Sequence, residues 1–288
     1  MTRFGPAGCP ESFERAGYKS TVQMPEYLEP MGLTAFEYQC GHGVRVTRET
    51  AEKLGEAARA RNIQISLHAP YYISMSSAEE EKRLRSVEYI LQSARAVDWM
   101  GGSRVVVHTG SCGKMSREEA MALVKDTMAL ALDALEREGL GHVHICPETM
   151  GKLGQLGTLE EVLELCGLDE RLIPCIDFGH LNARTFGGLG TFADFEHIFD
   201  AVRDRLGDRR MEGFHVHFSK IEYTPKGGEK RHLTFADTQY GPDYRPVVEL
   251  AAKRSCSLTV ICESAGTQAE DAVTMMRAFE QAGGKRDE

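Results

Sequence analysis

Histidine and carboxylate side chains recur at one relative place in this chain, at or just past the end of a short β-branched run. His68 closes ISLH, His108 closes VVVH, Glu148 follows HICP, Asp177 closes PCID and Glu263 closes VICE. The run FHVHF holds both His215 and His217, which point to one side of a strand; register favours His217 as the ligand and leaves His215 as a supporting or buried residue. His180 follows Asp177 by three residues, and His232 lies in a long stretch downstream of His217. A lone histidine at a strand end is ordinarily a hydrogen-bonded structural residue. Six consecutive strands, however, each deliver a ligand-type residue to the same relative place in a chain with only ten histidines, and that pattern predicts a metal centre. Imidazole and carboxylate without a thiolate in register suit Zn²⁺, Mn²⁺ or Fe²⁺ better than Ca²⁺ or Mg²⁺. The donors outnumber what one tetrahedral ion uses, so at least two ions bridged by a carboxylate are expected. Two metals roughly 3.5–4 Å apart form a clamp for hydrolysis of a phosphate ester.

The elements that must position these residues can be read from the same sequence. Strand-like runs occupy 3–6, 34–39, 64–69, 104–109, 142–148, 173–178, 214–218 and 258–263, separated by amphipathic stretches. Ser77…Glu80, Ser116…Glu119, Thr158…Glu161 and Thr267…Glu270 have the capping-box spacing, with Thr191…Asp194 as a weaker relative. Gly139, Gly141 and Gly167 supply helix stops. Eight βα units in 288 residues predict an α/β fold, a (β/α)8 TIM barrel forming a single domain over 1–288. In such a barrel every strand opens its C-terminal end on one face, where active sites form. A doubly wound open sheet is the competing architecture, but no GxGxxG follows the first strand. The stretch 219–241, with Pro225, Gly227 and Gly228, is expected to be a long functional loop.

Composition sets outer bounds. Apolar residues make up 42% and charged residues 27%, which are globular values. The net charge of −9 argues against a broad basic surface gripping nucleic acid. No run approaches the roughly 20 apolar residues of a membrane span, and the first residues have no leader pattern. A cytoplasmic, monomeric protein without a membrane partner is expected. Its eight cysteines form no CxxC pair and read as small buried hydrophobes.

In order, the strings SLHAPY, VVVHTGS, PETMGKLGQLG, CIDFGH, HVHFSK, RHL and ICES resemble the motifs of endonuclease IV, the zinc-dependent apurinic/apyrimidinic endonucleases among the xylose-isomerase-like TIM barrels. The resemblance spans 66–263, some two thirds of the chain. It implies three zinc sites. His68 and His108 would hold the first ion, with Glu148 bridging to a second completed by Asp177, His217 and Glu263; His180 and His232 would hold the third. The family's third site also takes an Asp two residues before the His matched by His232. Here that position is Lys230, with Glu229 beside it. Either Glu229 swings in or the third metal is weak or absent, and the Lys230 ammonium could stand in for the missing cation. The family wedges into DNA with loop side chains, which implies a substrate-binding role for Tyr71 and Tyr72. His42 and Arg45 could serve in the loop after the second strand, although QCGHGVRV departs from the family's pattern there. Lys114, Lys152, Arg184 and Lys220 are candidate phosphate contacts.

The chemistry so implied is metal-assisted phosphodiester hydrolysis 5′ to an abasic site in DNA, as in base excision repair, with Glu148 as the central catalytic carboxylate and the lesion extruded from the stack. The alternative is a sugar isomerase or epimerase, in which Glu148, Asp177, His217 and Glu263 hold one divalent ion and act on a small sugar or sugar phosphate. His68 and His108 discriminate, because an isomerase needs no second metal there. A non-catalytic metal-binding scaffold is the third reading.

Overall fold

The computed structural model describes residues 1–285. Seven parallel strands come first: β1 (Arg3–Pro6), β2 (Ala35–Gln39), β3 (Gln64–His68), β4 (Arg104–Val107), β5 (His144–Pro147), β6 (Cys175–Asp177) and β7 (His215–Phe218). An antiparallel hairpin of β8 (Lys220–Thr224) and β9 (Gly228–Leu233) follows, and β10 (Thr259–Cys262) is the eighth barrel strand. The strands pair as β1-β10-β7-β6 and as β2-β3-β4-β5. Single bridges close the two seams, Ala7 to Glu37 on one side, and Ile145 to Leu172 with Glu148 to Cys175 on the other. The result is the TIM barrel expected from the alternation of elements.

Period-two alternation sorts each strand into two faces. The outward set, including Val105, Val107, Ile145, Ile176, Val216 and Val260, joins the main core beneath the helices. Val124, Met128 and Leu132 of the helix Arg117–Arg137 bury against that set at the spacing of one helical stripe. Each such side chain contributes roughly 1.5–3 kcal/mol of hydrophobic stabilisation. The inward set is small, with Ala7, Ala35 and Ile261 in one cluster and Val106, Cys146 and Cys175 in another. A Cβ on Gly5 would lie 1.7 Å from the Ala35 carbonyl oxygen, so only glycine lets β1 approach β2.

Capping boxes form at Ser116/Glu119, Thr158/Glu161 and Thr191/Asp194. They do not form at the other two expected positions. The Ser77 hydroxyl accepts from the Glu79 amide, and the helix starts later, at Glu80. The Thr267 hydroxyl donates to Asp271 and leaves its helix without a side-chain cap. The expected long loop is corrected as well, since its first half is the β8–β9 hairpin. Among the described residues no helix is long and apolar enough to cross a membrane.

Candidate metal centre

The residue two positions beyond an inward floor residue is again inward and one layer higher. Cys146 is followed in this way by Glu148, Cys175 by Asp177, His215 by His217, Ile261 by Glu263, Val106 by His108 and Ser66 by His68. Six strand ends therefore converge on the C-terminal mouth of the barrel. Asp177 also caps the helix Phe178–Arg184, accepting from the His180 amide at 2.7 Å, and that turn carries His180 to the centre.

Glu148, 1% exposed, sits in the middle. Its Oε2 lies 3.0 Å from His108 Nε2 and 3.4 Å from His68 Nε2. Its Oε1 lies 3.0 Å from His217 Nδ1 and 3.4 Å from His180 Nδ1. Three donor groups adjoin around it: His68, His108 and Glu148; Glu148, Asp177, His217 and Glu263; and His180, Glu229 and His232. Within each group the donor atoms lie within 4.8 Å of one another. The Ala69 carbonyl accepts from His68 Nδ1 at 2.8 Å, and the Thr149 carbonyl from His180 Nδ1 at 3.0 Å, so that Nε2 of His68 faces Glu148 and Nε2 of His180 faces Glu229. His232 Nδ1 bonds Ser219 Oγ at 2.8 Å.

The electrostatics of the cluster follow from its burial and its mixed charges. Burial pushes the Asp177 carboxyl up to about 6; His180 offsets this in part, while Glu263 and Glu148 add to it. Burial also opposes ionisation of Glu148, but the charge of His217 and bonds from His108, His180 and His217 hold it well below the carboxylate range. Burial disfavours the cationic forms of His180 and His217, yet the surrounding acidic groups hold both well above the usual imidazole value. Asp177 Oδ2 is buried with no hydrogen-bond partner among the described residues. An orphaned carboxylate oxygen in an imidazole–carboxylate set fits a divalent ion such as Zn²⁺, Mn²⁺ or Fe²⁺.

The centre floors a cavity of about 360 Å³. Tyr71 lines it, with its ring stacked on His108 at 5.4 Å and its hydroxyl donating to Gln39. Tyr72 is not brought to the cavity, because its ring packs edge-on against Tyr89 of the helix Glu80–Trp99. His42 and Arg45 line a neighbouring hollow that shares Tyr71. Of the four candidate phosphate contacts, Lys152 lines the cavity. Arg184 instead donates to the carbonyls of Met150, Lys152, Leu153 and Gln155, clamping the loop after β5. The Lys220 ammonium is taken by the carbonyls of Phe235 and Asp237, and Lys114 is exposed outside the cavity lining.

The Lys230 expectation is corrected. Its ammonium pairs with Glu222, 2.5 Å away, on the exposed side of the hairpin. Glu229 faces inward, 3.4 Å from His180 Nε2. The reason is a β-bulge. Glu222 pairs with Arg231 and Tyr223 with Glu229, leaving Lys230 as an extra residue. In a regular strand, residues three apart face opposite ways; the bulge turns Glu229 to the same face as His232.

Two further residues were not singled out from the sequence. Glu37, wholly buried on β2, lies against both His215 and His217. Its signal was the alternation Ala35, Glu37, Gln39 on one face of AFEYQ, which turns a carboxylate inward. Ser219 offers no comparable signal, since only the fold of the hairpin brings it to His232.

Residues 25–279 match the Xylose isomerase-like TIM barrel family. An uncharacterized protein of Methanocaldococcus jannaschii is 35% identical over 281 residues, 98% of each chain. A probable endonuclease 4 of Acholeplasma laidlawii is 29% identical over 181 residues, 61% of this chain and 60% of that one. A solved D-tagatose 3-epimerase-like protein superimposes with a TM-score of 0.71 at 21% identity, over 98% of this chain and 97% of its own.

Proposed function

The chain belongs to the Xylose isomerase-like TIM barrel family, and from that premise we propose that it is a metal-dependent phosphodiester hydrolase that cleaves DNA 5′ to abasic sites. The observation that carries this reading is the set of three adjoining donor groups around one buried carboxylate, Glu148. Sugar isomerisation on this fold needs one such group, whereas His68 with His108, and Glu229 with His232, add donors on both sides of it. The similarity to a probable endonuclease 4 points the same way.

Bound zinc ions would supply Lewis-acid polarisation of the phosphate and activation of the attacking water. The protein's own groups do the rest. Glu148 holds the three donor groups in one frame, with each oxygen facing a different histidine pair. Lys152 brings a positive charge to the cavity wall, where it can meet a non-bridging phosphate oxygen. Tyr71 walls the mouth above His108. A cavity of about 360 Å³ admits a small substrate or one extruded residue rather than a duplex, so the lesion must leave the stack, which a missing base makes cheaper.

Purified protein incubated with duplex DNA carrying one abasic site is expected to nick the strand 5′ to that site. Chelator should abolish nicking, and so should His108→Ala. The epimerase reading has its own support, because Glu148, Asp177, His217 and Glu263 form a one-ion group by themselves. It requires that metal-loaded protein interconvert ketoses and that His108→Ala keep the activity. Absence of nicking together with that result would replace the first reading by the second.

A further inference from the structure

The ligand histidines differ in what holds their far nitrogens. His68 and His180 are anchored by backbone carbonyls and His232 by a hydroxyl. The far nitrogen of His217, Nε2, instead lies 3.0 Å from Glu37 Oε1, an ion-pair contact that falls outside hydrogen-bond geometry. That carboxylate is itself fully engaged. Gln39 donates to Oε1 at 3.2 Å, Ser66 donates to Oε2 at 3.0 Å, and His215 Nε2 lies 3.1 Å from Oε2. Glu37, Ser66, His215 and His217 are all nearly or wholly inaccessible to solvent. A carboxylate buried on the barrel floor is strongly disfavoured unless its partners compensate, so chance burial is a poor account of it. Glu37 also stands in register with Ser66 on β3, so the assembly is built by strand pairing rather than by a mobile loop.

The geometry points to Glu37 as a positioning residue: its carboxylate, braced by Ser66 and His215, fixes the His217 ring with Nδ1 toward Glu148 and Glu263 and sets how tightly that group holds a divalent ion. An anionic partner on the far nitrogen both orients an imidazole and strengthens it as a donor. The inference rests on His217 being a metal ligand and holds for either substrate class. Cys175 makes a competing use of the same floor conceivable, because its Sγ and the nitrogens of His215 and His217 also lie within 4.8 Å of one another. A buried ion there would compete with Glu37 and Glu148 for His217.

The test is zinc binding rather than turnover. Wild-type protein, Glu37→Gln and Ser66→Ala are titrated with Zn²⁺ against a competing chelator. Far-ultraviolet circular dichroism of the metal-free forms serves as the control for folding. Glu37→Gln is expected to weaken one zinc by roughly 10- to 100-fold, and Ser66→Ala by less in the same direction, with the fold retained. In zinc-loaded wild type, ¹⁵N NMR should show His217 with its proton on Nε2 and zinc on Nδ1. Wild-type affinity in both variants would overturn the inference. So would zinc on Nε2, or a thiolate-to-cobalt band in the Co²⁺ form, which would assign the floor to an ion held by Cys175. If Glu37→Gln fails to fold, Ser66→Ala and the NMR assignment decide. A wild-type protein that binds no divalent ion would overturn the metal centre along with it, whereas tight zinc binding indifferent to Glu37 would overturn this inference alone.

Discussion

Burial raises the Asp177 carboxyl from an ordinary 3.8 to about 6, and four ionisable neighbours face it: His180, Glu263, Glu148 and His217. Between those two values the folded, metal-free chain binds a proton that the unfolded chain has already released. Its stability therefore falls as pH rises through the window, by up to about 1.4 kcal/mol per pH unit. A divalent cation takes the place of that proton. His180 and His217, held well above the usual imidazole value, must also lose protons to a metal, so they act with the same sign. Thermal midpoints of zinc-loaded and chelator-treated protein should thus lie close together near pH 4 and separate as pH rises past 6. Asp177→Asn should flatten the lower part of that separation, and parallel curves in the wild type would contradict the argument. Asp177 was legible in the sequence because it closes an apolar run. Glu37 was missed because a single acidic residue inside AFEYQ carries no mark of its partners, which come from β3 and β7.

At the scale of elements, the hairpin shows where sequence reasoning stops. Its strands flank YTPKGG, which has the composition of a loop, and pairing depends on contacts with a distant segment: Glu229 donates its amide to the Gly151 carbonyl, and Leu153 donates to Gly227. The spacing of the resembled family then led from His232 to Lys230, two residues back, because a bulge leaves little trace in one sequence. The bulge makes a specific prediction. Lys230→Ala should change zinc affinity and turnover by no more than about twofold, since an exposed pair with Glu222 contributes little. Deleting Lys230 outright should also be tolerated, because Glu229 then stands two residues before His232 in a regular strand. Glu229→Gln should instead cost the third donor group about tenfold or more in zinc affinity. Equal losses in all three variants would mean that the hairpin, not the carboxylate, matters. The loop after β5 makes another prediction. Arg184 ties four of its carbonyls together from the end of the helix Phe178–Arg184. Arg184→Ala should cost about 2 kcal/mol in stability and admit protease between Met150 and Gln155, as read by melting and limited proteolysis.

Taken whole, the molecule sets the proposed metal chemistry in an acidic body. The alternation of barrel strands and helices was readable in the sequence, apart from the β8–β9 hairpin, as was the net charge of −9. What the sequence could not reveal is how few rim cations reach the mouth. Lys152 lines the cavity, while Arg184 and Lys220 are spent on backbone carbonyls. Affinity for a phosphodiester must then come from the centre itself, not from a basic track along the backbone. Each phosphate neutralised by lysine or arginine adds about 0.9 to the steepness of log K against log salt. With so few basic groups at the mouth, binding to undamaged duplex should be weak and its slope shallower than about −3. An abasic duplex should bind more tightly only when metal is present, with a slope nearly as shallow, because the added contacts lie inside one cavity. Fluorescence anisotropy across a salt series measures both. A slope steeper than about −6 on undamaged DNA would require a basic surface that the described residues do not present at the mouth, and would move DNA recognition to another face of the barrel.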